Sequence, residues 1–230
     1  ELATQCKMVS DDWNGFNVLH SAAARVAGLD IGFAPQEGGY DLEGILDGAS
    51  SGDVKTVFLL GADELDMNRL GDSFVVYVGT HGDAGAHRAD VILPSATYTE
   101  KQAIYVNTEG RAQMTEQAAF PPGEAREDWK IFRALSEVLG EKLPYDNVET
   151  LRALMFEVAP HLAGLDELTD AGAPDVSALT INASLSDAPF MNNAQDFYFT
   201  NPIARASKIM AECSIQAQAR NVSEGTGTDG

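Results

Sequence analysis

Two groups of side chains in this 230-residue chain stand close enough together to do chemistry. In Gly79-Thr80-His81-Gly82-Asp83-Ala84-Gly85-Ala86-His87, two imidazoles and a carboxylate fall within seven positions. Such groups ligate zinc, but the spacing is not that of a helical HExxH site, and three glycines leave the backbone unorganised. The segment reads instead as a glycine-rich turn after a strand. There, Gly permits positive φ and the polar side chains bond local backbone. Gly79, Gly82 and Gly85 also invite a phosphate reading, but they do not spell GxGxxG, and no GKS or GKT occurs. Glu100, Lys101, Glu109 and Arg111 could form an acid/base set, yet no His or Cys nucleophile stands nearby. A structural role is preferred: the charges pair with one another, Asn107 bridges backbone groups, and Arg111 takes a carboxylate through both arms. Glu100, Asn107, Glu109 and Arg111 are thus expected to fix the path of a loop. No catalytic residue and no metal ligand is assigned.

Cys6 and Cys213 lie near opposite ends and in no CxxC pair. An iron–sulfur cluster commonly takes four Cys ligands, so this chain cannot hold one alone. Neither is a disulfide framework expected. Fifteen basic against 35 acidic residues give a net charge of −20, which repels nucleic-acid phosphates and anionic lipid. No apolar run approaches the roughly 20 residues needed to span a bilayer. The chain opens on Glu1-Leu2-Ala3, read as the mark of a removed targeting sequence or of the downstream half of a longer polypeptide.

The elements that must position these residues are legible from apolar spacing. Trp13, Phe16, Leu19, Ala23 and Val26 predict a helix over 12–28, and Leu42, Ile45 and Leu46 a shorter one that ends near Gly48–Gly52. Apolar runs at 55–60, 74–78 and 89–93 stop at Gly61, Gly79 and Pro94, and read as three buried parallel strands. Residues 102–113 suggest an extended loop or a hairpin outside that sheet. Amphipathic helices follow over 124–140 and 148–159, and another over 203–218. The expected fold is α/β, a mostly parallel sheet flanked by helices. Its parts are an α/β domain over 1–163, a linker or extended segment over 164–196, an anchor helix over 197–220 and a disordered tail over 221–230.

The run ADVILPSATYTEKQAIYVNTEGR at 89–111 asks for more than strand grammar. It resembles the molybdopterin oxidoreductase superfamily and, in detail, the 75-kDa subunits of respiratory complex I, the NADH–quinone oxidoreductase. The likeness extends to WNGFNVLHSAAARVAGLDIGF at 13–33, FLLGADE at 58–64, FPPGEAREDWKIFRALSEVLG at 120–140 and TNPIARAS at 200–207. In that superfamily the turn after a strand like 55–60 commonly carries a Gly-x-Asn-Pro sequence that contacts the cofactor's nucleotide. Here Gly61-Ala62-Asp63-Glu64 stands instead. Carboxylates there would repel a pyrophosphate and be desolvated without a partner. Gly61, Asp63, Gly79 and Gly82 therefore mark a vestigial pocket, not a cofactor site.

The resemblance implies a structural, non-catalytic portion of a subunit in the peripheral arm that passes electrons from NADH to quinone. Iron–sulfur clusters would belong to an upstream part. Partners would be that upstream half and other peripheral-arm subunits, with no nucleic acid and no direct membrane insertion. The location would be the matrix side of the mitochondrial inner membrane, or the cytoplasmic side of a bacterial one. The competing readings are an active molybdopterin-dependent oxidoreductase, with cofactor at 61–64 and 79–87, and a nucleotide- or pterin-binding module without chemistry. With only three strands, both sheet edges are expected to be open and the piece to need the rest of its sheet for stability.

Overall fold

The structure is a computed structural model that describes residues 2–10, 13–168, 187–189 and 196–223. Most of the expected linker, and the tail from residue 224, lie outside the described residues. The chain opens with α1 (Leu2–Gln5) and an antiparallel hairpin of β1 (Val9–Ser10) and β2 (Trp13–Asn14). The helix expected over 12–28 is not there; only α2 (Arg25–Asp30) forms. Trp13 pairs with Ser10, and the Phe16 N–H donates to Asn14 Oδ1 at 3.0 Å, an Asx turn incompatible with helix. Trp13, Phe16 and Leu19 are exposed, so no buried face repays the cost of nucleating a helix.

α3 (Leu42–Ser51) forms where its spacing places it. Asp41 Oδ1 accepts from the Gly44 N–H at 2.8 Å, and Gly52 ends the helix with φ 86°. Then come β3 (Thr56–Leu60), a 3₁₀ turn at Met67–Leu70, β4 (Phe74–Gly79), α4 (Ala84–Arg88) and β5 (Val91–Pro94). The three strands are parallel in the order β3-β4-β5, with Leu59 opposite Tyr77 and Tyr77 opposite Ile92. Alternation sends Val57, Leu59, Val75 and Tyr77 to one face, where they meet Leu46 and Ala49 of α3 and Leu70. Burying each of the larger side chains contributes roughly 1.5–3 kcal/mol.

Beyond β5, Ser95 makes a single parallel bridge to Arg126, with the Ala96 N–H donating to the Arg126 carbonyl at 2.8 Å. That bridge pairs only the carboxyl end of the β5 edge; among the described residues, 91–93 have no second neighbouring strand. β3 has no further strand beside it among the described residues.

Of the two forms open to residues 102–113 the hairpin is the one present: β6 (Ile104–Val106) and β7 (Ala112–Met114) pair antiparallel outside the sheet. α5 (Asp128–Val138) and α6 (Val148–Val158) match their predicted periodicity within a few residues. Phe132 of α5 meets Phe58 of β3 with ring centroids 6.4 Å apart, which partly covers the sheet's second face. Val106 and Ala112 bury against Ala159 and Leu162 in a second core.

The C-terminal region holds a 3₁₀ turn at Phe197–Phe199, α7 (Pro202–Ala206) and α8 (Lys208–Ser223). The single helix expected over 203–218 is divided at Ser207, whose ψ of 121° is extended. That break gives α7 an axis of its own, and with it Arg205.

Candidate functional site

Ligands of open parallel sheets sit in the crevice outside the carboxyl ends of the strands. Two turns build that crevice here. After β3, Gly61 turns the chain with φ 63°, its N–H donating to the Val78 carbonyl at 2.7 Å, and delivers Asp63 and Glu64. After β4, Gly79-Thr80-His81-Gly82 leads to Asp83, which caps α4 by accepting from the Ala84 N–H at 2.9 Å. The Asp63 side chain is fully buried, and its Oδ2 accepts from the Gly85 N–H at 3.1 Å.

The crevice is filled by the chain itself. Arg205 of α7 donates from Nη2 to Asp63 Oδ1, from Nε to Asp83 Oδ2, and from Nη1 to Glu64 Oε1 at 3.1 Å. The expectation that these carboxylates would lack a partner is thus corrected: the partner arrives from 142 residues downstream of Asp63. Two devices already visible in the sequence start α7, since Asn201 Oδ1 caps it through the Ala204 N–H at 2.9 Å and Pro202 takes the first turn. Nothing local in the sequence announces that Arg205 reaches the strand ends. Beside it, an open cleft of about 270 Å³ remains, lined by Gly82, Asp83, Phe199, Arg205 and Ala206.

Electrostatics follow from this geometry. The hydrogen bond from Arg205 holds the Asp83 carboxyl below its usual range, against the effect of burial. Burial would lower the Arg205 pKa, but hydrogen bonds to Asp83 and Glu64 outweigh it and raise the value. Tyr77 is pushed up by burial first and by the nearby Asp63 and Asp83 charges second; its hydroxyl donates to the His81 carbonyl at 3.1 Å.

A pH dependence follows. The folded pKa of Asp83 lies below its unfolded value, so its stabilisation is complete above the unfolded value of about 4 and is lost as pH falls through the folded value. The groups that lower it are Arg205, chiefly through its hydrogen bond, and His87, whose electrostatic effect is smaller and in the same direction. Amide exchange corrected for intrinsic rates should show that α7 loses its protection only below the unfolded carboxyl value of about 4, while β4 keeps its own. Equal protection of α7 at about pH 7 and at the lowest pH where β4 stays protected would count against this account.

The glycines of 79–87 act differently from expectation. Gly79, Gly82 and Gly85 are not in the positive-φ region. A Cβ on Gly79 would lie 2.3 Å from Tyr77 Cζ, and one on Gly85 would lie 2.9 Å from Asp63 Cβ, so two of them are there for close packing. His81 Nδ1 lies 2.8 Å from Thr80 Oγ1. Among the described residues, no group of three or more His, Cys, Asp or Glu side chains is placed to hold a metal ion.

The remaining residues singled out from sequence lie elsewhere. Asn107 Oδ1 accepts from the Glu109 and Arg111 N–H groups, each at 3.0 Å, closing the β6–β7 turn. Arg111 donates to the Asp166 carbonyl and stands 3.8 Å from Glu109, not in a two-armed carboxylate pair. Glu100 accepts from the Thr97 N–H at 3.0 Å, and Lys101 pairs with Asp128. Cys6 is exposed and Cys213 half-buried, both free thiols.

Residues 1–138, more than half of the chain, match the molybdopterin oxidoreductase family. The chain belongs to that family. Residues 168–213, the span that includes α7, match a second family, described as the C-terminal part of an NADH-ubiquinone oxidoreductase subunit. The chain is 46% identical over 212 residues to the mitochondrial NADH-ubiquinone oxidoreductase 78 kDa subunit of Candida albicans, covering 89% of this chain and 28% of that protein. It is 45% identical over 214 residues to the mitochondrial NADH dehydrogenase (ubiquinone) iron-sulfur protein 1 of Solanum tuberosum, covering 93% and 28%. It is also 42% identical over 213 residues to the NADH-ubiquinone oxidoreductase 75 kDa subunit of Reclinomonas americana, covering 92% and 30%. The chain therefore spans under a third of the length of these relatives.

The molybdopterin oxidoreductase family takes its name from a pterin cofactor that carries phosphate. The crevice of this member does not fit one. Three carboxylates face a single guanidinium, and all three guanidinium nitrogens are already engaged. A phosphate entering there would meet net negative charge and would have to displace Arg205 from a fully buried carboxylate.

Proposed function

We propose that this chain is the downstream, non-catalytic portion of a 75-kDa-type iron–sulfur subunit of respiratory complex I. In this role it supports the peripheral arm through which electrons pass from NADH to quinone. The observation that carries the reading is the strand-end crevice occupied by Arg205 on Asp63, Glu64 and Asp83, which puts a structural ion cluster where an oxidoreductase would place its cofactor. The likeness to relatives named as NADH-ubiquinone oxidoreductase subunits, over about nine-tenths of this chain, supports it further.

On this reading Gly61, Asp63, Gly79 and Gly82 form a vestigial pocket, and Glu100, Asn107, Glu109 and Arg111 are loop-fixing residues. The iron–sulfur clusters belong to another part of the subunit. The α/β domain over 1–163 is followed by a crossing segment and a C-terminal anchor over 197–220. Partners are the upstream part of the same subunit and neighbouring peripheral-arm subunits, on the matrix side of the mitochondrial inner membrane or its bacterial equivalent. No described helix is long and apolar enough to cross a membrane.

The test is affinity isolation from native membranes with quantitative mass spectrometry and metal analysis of the same sample. Flavin-bearing and cluster-bearing complex I subunits are expected in equal amounts with the tagged chain. Stoichiometric molybdenum or tungsten, or the absence of those subunits, would overturn the proposal.

A further inference from the structure

The crevice is more than unfit for a phosphate; it is organised around a planar cation. Each of its three carboxylates has one oxygen tied to backbone and presents the other to Arg205. Asp63 holds the Gly85 N–H through Oδ2 at 3.1 Å and offers Oδ1. Asp83 holds the Ala84 N–H through Oδ1 at 2.9 Å and offers Oδ2. Glu64 holds the Asp63 N–H through Oε2 at 3.2 Å and offers Oε1. The three offered oxygens, in the same order, receive Nη2, Nε and Nη1. All three are thus oriented by the strand-end turns themselves, and the cation comes from a segment more than 120 residues away in sequence.

We infer that the strand-end crevice is a guanidinium-binding site, with Arg205 as its resident ligand and Asp63, Glu64 and Asp83 as the residues that select it. The inference rests on the reading of this crevice as one that takes no cofactor; it does not depend on which assembly the chain joins. A guanidinium suits the site because its donors lie in one plane and point in fixed, diverging directions. An ammonium of similar reach is a point charge and cannot serve three separately anchored acceptors with the same geometry. The C-terminal segment is therefore held to the α/β body as a ligand is held, through one inserted group. The site should accept a free guanidinium ion when that group is removed.

The experiment is chemical rescue of Arg205→Ala in the intact protein isolated with its native partners. Hydrogen exchange of the peptide that contains Gly85 is the readout. The substitution should speed that exchange about tenfold or more, since the buried Asp63 loses its counter-ion. Millimolar guanidinium chloride, far below denaturing levels, should restore most of the protection, whereas equal sodium chloride or urea should not. Unchanged exchange in the variant, or equal restoration by sodium chloride, overturns the inference.

Arg205→Lys covers the case in which alanine prevents assembly. Exchange between wild type and alanine levels supports selection of the planar group, and full protection by lysine overturns it. Metal analysis of the same preparation keeps the two conclusions separate. Stoichiometric molybdenum overturns the structural reading of the crevice, while failed rescue in a molybdenum-free preparation overturns only the guanidinium site.

Discussion

Asp63→Asn should accelerate exchange of the Gly85 amide about a hundredfold, equivalent to about 3 kcal/mol of lost local stability. Asparagine preserves the shape of the side chain but not its charge. Its single carbonyl oxygen can face either the Gly85 N–H or the Arg205 Nη2, and the amide NH₂ must then oppose the other donor. The fully buried position leaves no water to relieve that conflict. Glu64→Gln offers the internal comparison. Its side chain is 45% exposed, so the same loss of charge should cost less than about 1 kcal/mol. If the two substitutions had equal effects on exchange, burial would not be what gives the Asp63 pair its weight.

The second large effect is expected at Gly79→Ala, which should destabilise the α/β body by about 3 kcal/mol. The new Cβ would lie 2.3 Å from Cζ and 2.5 Å from the hydroxyl oxygen of Tyr77. That ring cannot step aside cheaply. Tyr77 is 1% exposed, packs in the core with Leu59, Val75 and Leu46, and donates to the His81 carbonyl at 3.1 Å. Gly82→Ala is the control, because a Cβ there meets nothing within 4 Å. Thermal unfolding of both variants in the intact protein should lower the midpoint for Gly79→Ala and leave that of Gly82→Ala near wild type. A similar fall for both would mean that backbone freedom, and not the Tyr77 contact, explains these glycines.

Much of the architecture was written locally. Apolar runs stopped by Gly61, Gly79 and Pro94 became β3, β4 and β5, because β-branched and apolar residues suit the pleated strand and a Gly or Pro turns the chain. The expected burial holds only for the central β4, while Phe58 and Leu60 of β3 and Val91 and Ile92 of β5 are exposed. The spacing in α5 and α6 worked because each has a face to bury. The same spacing failed over 12–28, where Trp13, Phe16 and Leu19 have no such face and Asn14 bonds its own backbone. Periodicity reports what a helix could bury, not whether anything stands opposite. The break at Ser207 was equally hidden, since neither its residue type nor its neighbours forbid a continuing helix.

The crevice divides in the same way. Asp63 and Glu64 after a strand were readable as a departure from a phosphate-binding turn, because like charges repel at any tertiary arrangement. Their counter-ion was not readable. Arg205 lies 122 residues from Asp83 and 142 from Asp63, and no local pattern couples positions at that distance. The glycines of 79–87 were read as conformational when two of them make room for Tyr77 and Asp63, a matter of which side chain crosses which backbone.

From the amino-acid order alone come the α/β class, the parallel strands and the charge that turns a phosphate away, since each follows from neighbouring residues or from a sum of charges. Only the folded chain decides that the acidic crevice is filled, by which arginine and through which atoms. That choice depends on bringing α7 to the ends of β3 and β4, a closure of distance no short stretch of sequence encodes.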